Sequence, residues 1–282
     1  MIRCFFVADL HGHVSRYEKL FDAIEKQKPQ VVFIGGDILP GLNINEIYDG
    51  DFIEVFLCSR LENLKFKLKN NYPRIFVIMG NDDPRIEEPK LKKLEEKGLW
   101  EYIHFRKTKF AGYNIFGYSY IPPTPFMLKD WEKYDVSVFV DPGCVHPVEG
   151  ARSVEPFEDI SFTNISKDLK KMTENENMEK AVFLFHSPPY KTNLDRAALD
   201  GKIIDHVPLD VHVGSIAIQR FIEERQPYLT MHGHIHESSS ITGHWKQKIG
   251  NTCACSAAYH RPELSLVSFD LEDLSTMKRE IM

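Results

Sequence analysis

Residues 74–84 read "RIFVIMGNDDP". An apolar run from Ile75 to Met79 ends at Gly80, Asn81, Asp82 and Asp83 follow, and Pro84 stops the run. Glycine followed by Asn or Asp after a buried strand is ordinary turn chemistry, because glycine accepts positive φ and short polar side chains cap turns. The stretch gains meaning if other strands end the same way.

Four others do. "IRCFFVA" (2–8) runs into Asp9-Leu10-His11, and "QVVFIGGD" (30–37) closes on Gly36-Asp37. "AVFLFHSPPY" (181–190) ends at His186, and "YLTMHGHIHE" (228–237) carries Gly233-His234-Ile235-His236. Taken singly, each has a plain explanation: Asp-x-His arises by chance in turns, and one histidine at a strand end is commonly just hydrogen-bonded. The histidine cluster says more, since imidazole is the commonest metal ligand. Five independent turns that all present metal-type side chains point to one metal site.

The segments between these strands predict helices. Val14, Tyr17, Leu20, Phe21 and Ile24 share one helical face, a second helix is expected over about 52–69 after a loop opened by Pro40-Gly41, and a third over about 88–97 ends at Gly98. Strand–helix–strand alternation with near-continuous apolar strands implies a largely parallel sheet covered on both faces. In such sheets ligands bind outside the carboxyl ends of the strands, which is where the polar residues fall.

The chain from 120 to 180 behaves differently. After the strand-like "YNIFGYSY" (113–120) come about sixty residues of weak periodicity with six prolines (122, 123, 125, 142, 147 and 156). It is too long for a plain connection and reads as an insertion that shapes the substrate site or is partly mobile. "SIAIQRFIEERQ" (215–226) predicts an amphipathic helix, and "LSLVSFDLE" a half-exposed strand.

Composition limits the function classes. The chain has 282 residues, 27% charged and 43% hydrophobic, with a formal net charge of −6. Such a chain lacks the basic face of a dedicated nucleic-acid binder, so no nucleic-acid partner is expected. No apolar stretch approaches the roughly 20 residues of a membrane span, and no signal peptide is legible, so the expected location is cytoplasmic. The five cysteines, an odd number, agree with a reducing compartment. Cys253-Ala-Cys255 puts two thiols on one strand face, but without a second pair it reads as packing rather than a metal site.

The order Asp-x-His, Gly-Asp, Gly-Asn-Asp, lone His, Gly-His-x-His resembles the calcineurin-like metallophosphoesterase superfamily over about residues 1–260. Small phosphoesterases of the cyclic-nucleotide-phosphodiesterase-related group look most similar. The resemblance implies a single α/β domain spanning 1–282, built as two β-sheets packed in a sandwich flanked by helices. It implies one metal on Asp9, His11, Asp37 and His236 and a second on Asp37, Asn81, His186 and His234, with Asp37 shared. Hydrolysis of a small phosphoester, a diester by preference, would then proceed by attack of a metal-bridging hydroxide. Mixed nitrogen and oxygen donors suit two divalent transition ions, Mn, Fe, Co, Ni or Zn. The alternatives are a metal-binding protein-interaction scaffold of the same fold and a nuclease of the same superfamily. Oligomeric state is left open, a homo-oligomer included.

Asp82 is a departure, because many relatives carry histidine there as a proton donor or leaving-group contact. Asp82, His13 and His212 are the candidate catalytic residues beyond the ligands. His212-Val213-Gly214-Ser215 leads into a helix whose free N–H groups attract anions, with Ser215 as its expected N-cap. His232 alternates away from the ligand pair and reads as structural. A further departure is "NTCACSAAY" (251–259), where relatives often have an Asn-Pro-Gly turn.

Overall fold

The computed structural model describes residues 1–41 and 51–282. The loop expected after Pro40-Gly41 lies, over 42–50, outside the described residues. In chain order the elements begin with β1 (Arg3–Val7), α1 (Val14–Gln27) and β2 (Val31–Gly35), then a π-helical turn (Phe52–Leu57) that runs into α2 (Cys58–Leu68). Next come β3 (Arg74–Ile78), α3 (Glu88–Glu96), β4 (Glu101–Tyr102), β5 (Arg106–Phe110) and β6 (Tyr113–Tyr118). After the 120–180 segment, which contains α4 (Ile165–Met172), follow β7 (Ala181–Phe185) and a small hairpin of β8 (Ile203–Ile204) and β9 (Val207–Pro208). The chain closes with α5 (Ile216–Arg225), β10 (Leu229–His232), α6 (Ser238–Thr242), β11 (Lys246–Ile249), β12 (Thr252–Ser256), β13 (Ser265–Asp270) and β14 (Asp273–Ile281).

These strands form two six-stranded sheets, ordered β14-β13-β1-β2-β3-β4 and β11-β12-β10-β7-β6-β5. Strands β1, β2 and β3 pair in parallel in the first sheet, and β6, β7, β10 and β12 in parallel in the second. Local periodicity alone implied one parallel sheet; the sandwich implied by the resemblance is what forms. Strand alternation explains the packing. Phe6, Phe33, Phe76, Ile115, Val182, Leu184 and Met231 meet in one core cluster drawn from both sheets, so these inner faces lie against each other. Their sequence neighbours Phe5, Val32, Val77, Phe116 and Phe183 join Leu20, Ile24, Leu61, Ile218 and Phe221 in a second cluster beneath the helices. Strands β1, β2, β3, β6 and β7 are therefore apolar on both faces, which is why these runs read as continuous.

Strand β13 departs from the half-exposed expectation. Leu266 joins the helix-side cluster and Val267 the inter-sheet one, so both faces are buried. The strand lies between β1 and β14, with antiparallel pairing on either side.

The 120–180 segment is organised by polar contacts. The Trp131 ring is fully buried and its Nε1–H donates to the Asp83 carbonyl at 2.8 Å. Lys129 and Glu132 form a fully buried ion pair at 2.6 Å. Lys133 donates to Asp168 at 2.8 Å and lies 4.4 Å from the Tyr120 ring centroid. Buried charges persist only when paired in this way.

Candidate metal centre

The loops after β1, β2 and β3 are joined by backbone hydrogen bonds. Asp9 N–H donates to Gly36 O at 3.0 Å, His11 N–H to Asp37 O at 2.7 Å and Gly12 N–H to Ile38 O at 3.1 Å. On the far side, the buried Asp83 carboxylate accepts N–H from Ile38 (2.9 Å), Leu39 (2.8 Å) and Gly80 (2.8 Å). The second sheet joins the first through His186, whose Nδ1–H donates to Gly35 O at 2.8 Å, and Gly233 N–H donates to His186 O at 2.9 Å. Hydrogen bonds thus tie the loops within each sheet and cross from one sheet to the other.

This stitching holds an unusual backbone. Asp9 (φ 56°), His11 (φ 46°), Asp37 (φ 50°) and His234 (φ 73°) are all in the left-handed region. For a non-glycine residue that conformation costs about 1–3 kcal/mol and persists only where the surroundings over-determine it. Gly80 is required for a different reason. A Cβ there would lie 2.3 Å from Asp37 Oδ1 and 2.6 Å from His186 Cε1, so these side chains cross directly over its backbone.

The side chains converge into two overlapping groups. Asp9, His11, Asp37 and His236 bring one ligand atom each to within 4.8 Å of one another, and Asp37, His186 and His234 do the same. Asp37 belongs to both. His11 Nε2 and His236 Nε2 are 3.1 Å apart, and His186 Nε2 lies 3.2 Å from Asp37 Oδ2. Asn81 completes the set: its Oδ1 lies 3.0 Å from His186 Nε2 while its amide donates to Asp82 Oδ1 at 2.7 Å. All seven residues expected as ligands are thus gathered.

Electrostatics match that crowding. Burial opposes the charged form of His186, but the adjacent Asp37 and Asp9 push its pKa up to about 10. Burial, reinforced by His186, drives His234 down to about 3. Burial works against the Asp37 carboxylate, yet His186 and His11 hold its pKa well below the usual range. Burial and the nearby Asp37 raise Asp82 to about 6.

A family model for calcineurin-like phosphoesterases matches residues 2–238, a span that contains every one of these strand ends. The chain belongs to the calcineurin-like phosphoesterase family. Two solved structures share its fold. One is 16% identical, aligned over 100% of this chain and 98% of its own, with a TM-score of 0.59. The other, TT1561 of Thermus thermophilus, is 14% identical over 99% and 98% with a TM-score of 0.56. No curated protein matches the chain.

Calcineurin-like phosphoesterases are dimetal-dependent hydrolases, and the residues here fit two ions. Asp9 Oδ2 is buried and, among the described residues, has no hydrogen-bond partner, an orphaned anionic oxygen inside the first group. His186 donates through Nδ1, which leaves Nε2 turned to the shared carboxylate, the arrangement of a metal-ligating imidazole braced from behind.

The three other candidate residues have different surroundings. Asp82 lies at the site, with its N–H donating to Asp37 Oδ1 at 2.8 Å and its carboxylate 3.7 Å from His11 Nδ1. His13 is the residue before α1 and lies outside both ligand groups. His212 Nδ1–H donates to the buried Asp195 at 2.8 Å. The N-terminus of α5 already holds an anion from the chain itself. Asp135 accepts from Ser215 Oγ (2.6 Å) and from the N–H of Ile216 (2.6 Å), while Ser215 caps the helix through Ile218 N–H as expected. His232 is structural, bonded to Ser187 O and Thr230 Oγ1, both at 2.9 Å. Sequence reasoning treated Asp83 as a turn residue; the signal for more was a second acid directly after Asn-Asp.

Proposed function

We propose that this calcineurin-like phosphoesterase is a dinuclear enzyme hydrolysing phosphodiesters. The observation that carries the reading is the single buried carboxylate, Asp37, shared by two complete donor groups. Asp9, His11, Asp37 and His236 would hold one divalent transition ion, and Asp37, Asn81, His186 and His234 the other. Ions bound there would supply Lewis-acid chemistry, neutralising phosphoryl oxygens and lowering the pKa of a bound water. The chain's own part is to fix those donors: Gly35 O orients His186, Asp9 Oδ1 accepts His234 N–H at 2.9 Å, and Asp83 aligns the loops that carry Asp37 and Asn81.

Charge favours a diester. Two divalent ions, Asp9, Asp37 and one hydroxide sum to about +1, and an ionised Asp82 cancels that. A monoanionic diester then meets less repulsion than a dianionic monoester. The 120–180 segment, anchored to the site through Trp131 and Asp83, shapes access to it. The five unpaired cysteines support a cytoplasmic location. The test is turnover of mono- and diester panels after reconstitution with Mn²⁺, Fe²⁺, Co²⁺, Ni²⁺ or Zn²⁺. Faster turnover of p-nitrophenyl phosphate than of its bis-ester contradicts the diester assignment.

A further inference from the structure

The loop between His186 and α5 holds an acid–histidine pair that the metal centre does not use. Asp195 is fully buried, and its carboxylate accepts backbone N–H from Lys191 (3.0 Å), Thr192 (2.9 Å) and Gly214 (3.2 Å). It also accepts from the Thr192 hydroxyl at 3.4 Å and from His212 Nδ1–H at 2.8 Å. Five donors converge on one carboxylate, so the imidazole is held by an immobile partner. The edge bearing Nε2 faces away from Asp195, and the His212 side chain is 27% exposed.

The loop is tied to both ligand-bearing segments of the second sheet. Ser215 N–H donates to Pro188 O at 2.8 Å, two residues after His186. On the other side His212 pairs with Arg196 in an antiparallel bridge, and Ala198 N–H donates to Glu237 Oε1 at 3.1 Å. Glu237 directly follows His236. His212 is thus carried on a loop braced against the chain at His186 and at His236, beyond the carboxyl ends of β7 and β10, where ligands of such sheets bind.

The site needs what this pair offers. The four imidazoles of the two ligand groups, His11, His186, His234 and His236, would be engaged as ligands.

We propose that His212, oriented by Asp195, donates the proton to the departing oxygen. The inference rests on the phosphodiesterase reading. In the step, hydroxide forms a bond to phosphorus and the bond from phosphorus to the leaving oxygen breaks. The Nε2 proton moves to that oxygen to release an alcohol or phenol, and neutral His212 regains a proton from water. His212 is the catalytic residue; Asp195 is a positioning residue.

The experiment compares methyl 4-nitrophenyl phosphate with methyl phenyl phosphate, using the full chain loaded with Mn²⁺. Phenol is the poorer leaving group and needs the proton. His212→Ala is expected to lose about 10²-fold or more on the phenyl ester, the usual worth of a general acid, and to change little on the nitrophenyl ester. Its metal content stays that of the wild type, and added imidazole restores phenyl-ester turnover, which a purely structural role would not allow. Asp195→Asn shows the same selectivity at smaller size, in kcat rather than KM. Equal slowing on both esters, or none on either, overturns the assignment. A second readout needs no turnover: titrating inorganic phosphate into the Zn²⁺-loaded protein shifts the His212 Nε2 resonance, and an unmoved resonance overturns the proposal. Wild-type protein that cleaves neither ester contradicts the phosphodiesterase reading instead, and the phosphate titration then decides His212 by itself.

Discussion

The two ligand groups share Asp37 but are built differently. In the first, His11 and His236 keep side-chain exposures of 13% and 33%. In the second, His186 is fully buried, lies under the backbone of Gly36 and Gly80, and donates across the sandwich to Gly35 O. The first group sets those two part-exposed imidazoles beside the buried carboxylates of Asp9 and Asp37. The second is part of the seam between the sheets, so its geometry and the stability of the fold are the same thing. An ion in the first group should exchange; an ion in the second should behave as a structural member.

The largest effect expected is that of Asp37→Ala. It removes the shared ligand, so turnover should fall to background and both ions should be lost, as read by elemental mass spectrometry. Two ions retained would sink the shared-ligand assignment.

Gly80→Ala comes next. The added Cβ, 2.3 Å from Asp37 Oδ1, must displace the carboxylate or the His186 ring. It should cost about 1–3 kcal/mol in thermal or urea unfolding and most of the metal affinity. Unchanged metal affinity would show that the close approach is immaterial.

The two histidine truncations separate the groups. His186→Ala opens a buried gap and leaves Gly35 O unpaired, at about 2–4 kcal/mol of stability in the ion-free protein. His236→Ala should cost less than about 0.5 kcal/mol while releasing only the first ion. Equal stability losses would erase the contrast between an open and a seam-built group.

Proton release sharpens the same contrast. With its pKa pushed up to about 10, ion-free His186 is protonated at pH 7–8 and must lose that proton to become a ligand. Loading the second group should therefore release about one proton, and its affinity should rise with pH until about 10. Calorimetry in two buffers of different ionisation enthalpy measures the count. No proton released, or affinity falling with pH, contradicts it.

The smallest change is expected from Asp82→Asn. The carboxylate is partly exposed and, next to two cations, ionised, so its loss should alter rates by less than about threefold across a leaving-group series. A large loss confined to poor leaving groups would make Asp82 the acid, in place of His212.

What was legible in the chain follows from this division. The strand ends could be read because buried strands carry unbroken apolar runs and the ligands follow them directly, as at Val7-Ala8-Asp9 or Phe185-His186. Helix α1 was equally clear, its Tyr17, Leu20, Phe21 and Ile24 all buried on one side. Strand pairing was not, because apolar runs do not say which neighbour they join. The 120–180 segment was opaque for another reason: its centre contains Lys129, Glu132 and Lys133, buried charges that a hydropathy pattern assigns to the surface. Strand β14, with the sequence "DLSTMKREI", is an edge strand with one mostly solvated face and gave little apolar signal. Nor could the left-handed backbone of Asp9, His11, Asp37 and His234 be read, since none of these is glycine and the conformation is imposed by partners far along the chain. Asp135 and Asp83 belong to the same class, for their targets are N–H groups on other elements.

The central claim is that two ions sit on either side of Asp37. Crystals of the protein grown with Mn²⁺ or Zn²⁺ and measured at the metal's absorption edge test it directly. The account predicts two anomalous peaks, one contacted by Asp9, His11, Asp37 and His236 and the other by Asp37, Asn81, His186 and His234. A single peak, or two peaks of which only one touches Asp37, would contradict it.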